Sequence, residues 1–89
     1  MNIVWDERKR RASLKKHGLD FHDAAKAFDG ITYTIEDKRF DYGERRFITI
    51  AMLNDIIVVL AHIETERELR LLSMRKATRH EQIIFFENI

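Results

Sequence analysis

The stretch from Ser73 to His80, "SMRKATRH", sets two hydroxyls, three permanent cations and a histidine within eight residues. Each of these groups can hold a phosphate, and a guanidinium can hold two phosphate oxygens at once. Thr78 followed by Glu81 reads as a capping box, and the free N–H groups of a helix start favour anions. The plainer reading is that Thr78 only caps and the arginines only solubilise; these residues alone leave both open. His17, in "KKHG", stands where a helix should end. It can serve there as a cation against the helix dipole or as a group that moves a proton. His62 lies on an otherwise apolar run, a position typical of a core histidine.

Cleavage of RNA needs little more than such a set. The 2′-hydroxyl is the nucleophile, so the protein supplies orientation, a proton acceptor or donor, and cations for the charge that develops on phosphorus. Other chemistries find less support. His17 and His22 are five residues apart across a helix break, without the i, i+4 spacing of a helical metal site. There is no cysteine, and the three glycines form no phosphate-cradling loop and no G-x-S-x-G elbow. Neither a metal nor any other cofactor is expected.

These groups need elements to position them, and 89 residues suffice for one domain, expected over residues 1–89. The net charge of +1 hides segregation. Residues 1–20 carry six cations against three acids, residues 21–44 three cations against six acids, and residues 67–80 five cations against one acid. A fold that joins the two basic segments creates a basic side; otherwise the surface is merely mixed and solvated. No apolar run approaches the ~20 residues that span a bilayer, and "MNIVWDERKRR" lacks a signal peptide's apolar stretch. The expected compartment is a reducing cytoplasm, with no membrane partner.

Asp6 can cap a surface helix reaching about Lys16, closed by Gly18 in the left-handed conformation. Asp20 can cap a second helix with Phe21, Ala24, Ala25 and Phe28 on one stripe, ending at Gly30. "ITYTI", "RFITIAML", "IIVVLA" and "ELRLLSM" read as four strands, the third of them central because it is continuously apolar; "NIVW" can add a short edge strand. Asn54-Asp55 predicts a two-residue hairpin pairing Leu53 with Ile56 and Phe47 with His62. A similar turn at Thr65-Glu66 pairs His62 with Leu69 and Val58 with Ser73. In that register Ile48, Ile50, Met52, Ile57, Val59, Ala61, Leu72 and Met74 share the face covered by helices. Thr49, His62, Ser73 and Arg75 share the more polar face. Phe21, Phe28, Ile50, Val59, Leu72 and Met74 are then expected in one core. "EQIIFFEN" forms a last helix with more apolar surface than one stripe can bury.

Three motifs in order, "WDERKRRASLKKHGLDF", "GERRF" and "LRLLSMRKATRHE", resemble those of BrnT-type toxins of bacterial type II toxin–antitoxin systems, a branch of the RelE-like ribonucleases. Ser13 departs from the family's usual asparagine and is expected to touch no chemistry. The resemblance implies an α+β, RelE-like fold: two N-terminal helices packed on an antiparallel sheet of about four strands, then a C-terminal helix. It further implies a metal-independent endoribonuclease that halts growth by cutting RNA. A cognate antitoxin, BrnA-like and DNA-binding, would neutralise it, with operator DNA reached only through that antitoxin. Carried over by motif are His17, Arg46, Arg70, Ser73 and Arg75; charge adds Arg39, Lys76 and Arg79. His17, Arg70 and Arg75 are expected to be catalytic, and Arg39, Arg46, Ser73, Lys76 and Arg79 to bind RNA. Which group is base and which acid is not implied. The competing readings are a non-catalytic nucleic-acid-binding module and a protein-interaction module built on "IIFFENI".

Overall fold

The computed structural model describes residues 2–89. Asn2–Trp5 forms β1 and Glu7–His17 forms α1. A 3-10 turn over Phe21–Asp23 leads into a short α2, Ala24–Asp29. Then come β2 (Thr32–Asp37), β3 (Arg46–Leu53), β4 (Ile56–Glu64), β5 (Glu68–Lys76) and α3 (Arg79–Glu87). The helix ends follow the capping signals. The Asp6 carboxylate accepts the Arg8 amide at 2.8 Å, and Gly18 closes α1 at φ +69°. Thr78 and Glu81 complete their reciprocal capping box. The second helix is shorter than its apolar stripe suggests, because Asp20 caps the 3-10 turn rather than α2.

The fold is α+β, but the sheet differs from the expected antiparallel four. Among the described residues it has five strands in the order β1-β5-β4-β3-β2, and β1 pairs parallel with β5. "NIVW" is the short edge strand its sequence suggests, and its parallel pairing makes the sheet mixed. Its Trp5 packs edge-on against Phe21 at 6.3 Å, and that apolar contact fixes β1 to the body of the protein. β4 is central, flanked by two strands on either side.

The β3–β4 register is as predicted, Leu53 opposite Ile56 and Phe47 opposite His62, with Asn54 at φ +55° in the turn. The β4–β5 register is not. The loop closes one residue later, with the Thr65 amide on the Glu68 carbonyl at 2.8 Å and the Glu68 amide on Thr65 Oγ1 at 3.1 Å. His62 consequently faces Leu71, and Val58 faces Lys76. A bulge then leaves Leu72 as an extra residue: Ala61 faces Ser73 while its neighbour His62 faces Leu71. Burial explains it. Leu71 and Met74 are each 1% exposed in the same core cluster. Three residues apart, they cannot share a face in strict alternation, and one extra residue reconciles them.

The expected faces are therefore reassigned. Thr49, Ala51, Leu53, Val58, Leu60, His62, Leu69, Leu71 and Met74 lie under the N-terminal helices, joined by Phe21, Ala24, Ala27 and Phe28. Ile50, Ile57 and Val59 form a second cluster on the opposite face, covered by Phe85 of α3. The one core expected from Phe21 to Met74 is thus two, and Leu72 is only half-buried.

His62 has no exposed surface. It is edge-on to Phe28 at 5.2 Å and stacked on Phe47 at 6.0 Å. Nε2 lies 2.7 Å from Thr49 Oγ1, which lies 2.7 Å from Thr34 Oγ1. Nδ1 comes within 3.4 Å of Glu64 Oε1 but without hydrogen-bond geometry. Burial pushes the imidazole from 6.5 down to about 4. The unfolded chain binds this proton more readily, so stability present at pH 7 falls as pH drops through that window, by roughly 3 kcal/mol over its full width. Glu81, lowered from 4.5 to about 2, adds its own loss only at more acid pH. Urea titrations at pH 7 and pH 4.5 should show a clear drop for the wild type and a much smaller one for His62→Gln. Equal drops would acquit the imidazole.

Candidate functional site

β1 covers the edge of β5 only from Glu68 to Leu71. Beyond it the chain turns at Asp6 into α1, which runs beside the second half of β5. No residue of α1 is buried, so the helix is held by polar contacts. Arg10 bonds Glu7 at 2.6 Å and Asp20 at 3.2 Å, and the Ser13 hydroxyl donates to the Met74 carbonyl at 3.2 Å. That last bond satisfies an acceptor on the strand's otherwise open edge. Ser13 therefore ties α1 to β5.

Between α1 and β5 lies a cleft of about 300 Å³. α1 contributes Lys9, Ala12, Ser13, Lys16 and His17; Phe21 and Leu72 to Arg75 complete the lining. Lys9, Ser13, Lys16 and His17 fall at i, i+4, i+7 and i+8, one side of the helix, aimed at the strand. The two basic segments of the chain thus meet here, and His17 shares a cavity with Ser73 and Arg75.

The bulge at Leu72 decides what else joins them. Arg70 lies opposite Ile63, and the bulge puts Ser73 and Arg75 opposite Ala61 and Val59 on the same face, away from α2 and the core beneath it. Without the extra residue Ser73 and Arg75 would follow Leu69 and Leu71 into the core. Arg46 reaches the same face from β3, since it alternates with Phe47, the partner of His62. The expected polar face is split: Ser73 and Arg75 lie on this side, Thr49 and His62 on the other.

Arg75 is not free. Its Nη1 and Nη2 donate to the two Glu81 oxygens at 2.7 and 2.8 Å, and Nη1 also reaches the Lys76 carbonyl at 3.2 Å. The Arg75 guanidinium holds the Glu81 carboxyl well below the usual carboxylate range, at about 2, and Arg75 is raised in turn. Among the described residues these bonds use three of its five N–H groups. Nε–H and the second Nη2 hydrogen remain, side by side on one edge of the plane.

Arg39 is held by Asp37, whose carboxylate accepts Nε and Nη2 at 2.9 Å each; this depresses Asp37 far below its ordinary range. The Arg39 charge nevertheless lies near enough to Arg75 to oppose it. Arg46 bonds Glu44 at 3.2 Å and sits over the Tyr42 ring at 4.2 Å. Lys76 lines a separate groove with Met52, Gln82 and Phe86, and Arg79 is an exposed residue at the start of α3. The structure therefore groups His17, Ser73 and Arg75 in the cleft, sets Arg70 and Arg46 along the adjoining sheet face, holds Arg39 on Asp37 in the connection from β2 to β3, and leaves Lys76 and Arg79 outside.

Two cleft residues escape a reading for candidates in the sequence, Lys9 and Lys16. Their spacing with His17 on one helical face is the signal that finds them. No three His, Asp or Glu side chains converge into a metal-binding group among the described residues. No helix among them is long and apolar enough to cross a membrane. Residues 5–81 match the family model described as the ribonuclease toxin, BrnT, of type II toxin–antitoxin systems. No curated protein matches the chain significantly.

Proposed function

Because this chain belongs to the BrnT ribonuclease toxins of type II toxin–antitoxin systems, we propose that it cuts RNA without a metal ion, in the cleft between α1 and β5. The observation that carries this reading is the meeting of His17, Ser73 and Arg75 in one cavity, from opposite ends of the sequence. His17 takes the proton from the 2′-hydroxyl or gives one to the leaving 5′-oxygen, and solvent water serves the other transfer. The 2′-oxygen attacks phosphorus, the bond to the 5′-oxygen breaks, and the products are a 2′,3′-cyclic phosphate and a 5′-hydroxyl. Arg75 stabilises the negative charge on the phosphoryl oxygens, with Arg70 as a second cation on the same face. Ser73, Lys9 and Lys16 hold the neighbouring phosphate, while Arg46 and Arg39 guide the strand along the sheet. Lys76 and Arg79 are left as flanking cations that attract RNA at longer range.

The domain is RelE-like in this reading and acts in the cytoplasm. Its partner is an antitoxin of the BrnA kind, itself DNA-binding, through which alone the complex reaches operator DNA. α3 offers that partner a surface, since Ile83 and Phe86 stand 47% and 57% exposed on its outer side. Purified protein should cut single-stranded RNA in excess EDTA and leave 2′,3′-cyclic or 3′-phosphate ends, read by end-group analysis of the fragments. Activity that disappears with chelator and returns with one divalent ion would overturn the metal-free mechanism.

A further inference from the structure

We propose that Glu81 is a positioning residue that turns the free edge of Arg75 toward an RNA phosphate; this rests on the cleft being the RNA site. Glu81 engages the two terminal nitrogens of the guanidinium end-on, at 2.7 and 2.8 Å. The side edge, Nε–H with the second Nη2 hydrogen, is the other pair of parallel donors that a guanidinium owns. It matches two oxygens of a phosphate as well as the occupied edge matches a carboxylate. One arginine can therefore hold a carboxylate and a phosphate together, and the position of the first sets the direction of the second.

Glu81 can do this because it is itself fixed. Its Oε1 accepts the Thr78 amide at 2.8 Å, and Thr78 Oγ1 accepts the Glu81 amide at 3.2 Å. The carboxylate is thereby pinned to the first turn of α3, and the side chain is only 23% exposed. Among the described residues Arg75, 42% exposed on a strand near an open edge, has only the Lys76 carbonyl as a hydrogen-bond partner besides Glu81. The arrangement carries a built-in tension. A carboxylate beside the phosphate site weakens electrostatic attraction to RNA, so its contribution must come from geometry rather than charge.

That tension makes the test specific. Glu81→Gln should lower kcat on the order of 100-fold, the cost of a misplaced catalytic group, with KM unchanged or lower because a negative charge has gone. In an Arg75→Lys background, where no two-point hold on Glu81 is possible, Glu81→Gln should add little. Equal kcat for Glu81→Gln and wild type overturns the proposal while the ribonuclease reading stands. So does the same fold-loss in both backgrounds. If the wild type cuts no RNA, the ribonuclease reading fails. Affinity for a 2′-O-methyl oligonucleotide then decides the proposal by the same comparison: a Glu81 effect present with Arg75 and absent in the Arg75→Lys background supports it, and equal effects overturn it.

Discussion

Replacing Arg75 by alanine should slow RNA cleavage on the order of 100- to 1,000-fold, the usual loss when one preorganised donor to a transition-state charge is removed. The protein should stay folded. The Arg75–Glu81 pair is half exposed, and Glu81 keeps the Thr78 amide as a partner after the guanidinium is gone. Such a pair contributes about 1 kcal/mol, equivalent to a fall of roughly 4–8 °C in Tm for a domain of this size. Arg75→Lys should recover part of the rate, since an ammonium supplies charge without two-point geometry. The rival account makes Arg75 a purely structural residue that ties β5 to α3 through Glu81. It expects the reverse pattern: a Tm lowered by much more than this range, and near-normal cleavage by whatever fraction remains folded. Melting curves and single-turnover rates on the same preparations separate the two.

His17→Ala should cost between about 100-fold and 10,000-fold in cleavage rate, the range for a lost general acid or base, and remove one limb of the pH–rate profile. Its effect on stability should be small. His17 caps no buried cavity; it is a half-exposed residue in the last turn of α1, where a cation contributes about 0.3–1 kcal/mol. His17→Lys separates the two roles available to this residue. Lysine keeps a positive charge at the helix end and near the phosphate, but it does not exchange a proton readily near neutral pH. A His17→Lys protein as inactive as His17→Ala supports proton transfer. One that cleaves at the wild-type rate would reduce His17 to an electrostatic role and leave the 2′-hydroxyl to be activated by another group.

Much of the fold is readable from local chemistry. Asp6 and Gly18 bound α1, Thr78 and Glu81 start α3, and Asn54 fixes the β3–β4 register, each through contacts within a few residues along the chain. The continuous run from Ile56 to Ala61 is the central strand because only burial on both faces tolerates so many apolar neighbours. The motifs carrying His17, Arg46, Arg70, Ser73 and Arg75 likewise lie in the sequence, and with them the family.

Their assembly does not. β1 joins β5 by a parallel pairing across the length of the chain, and no local signal names that partner. The turn after β4 is set by the Thr65 hydroxyl and the Glu68 amide, a choice that shifts every later pair. Above all, Leu72 is expelled as a bulge because Leu71 and Met74 both have to be buried under the N-terminal helices. "LRLLSM" shows two adjacent leucines, which hints at broken alternation, but only competition for space in the core decides which residue gives way. That decision turns Ser73 and Arg75 out of the core and onto the face of Arg70, within reach of His17. The sequence by itself determined the elements, their caps and the chemical groups, since these depend on neighbours along the chain. The tertiary structure alone decided which groups meet, since side-chain direction on β5 follows from packing against residues distant in sequence.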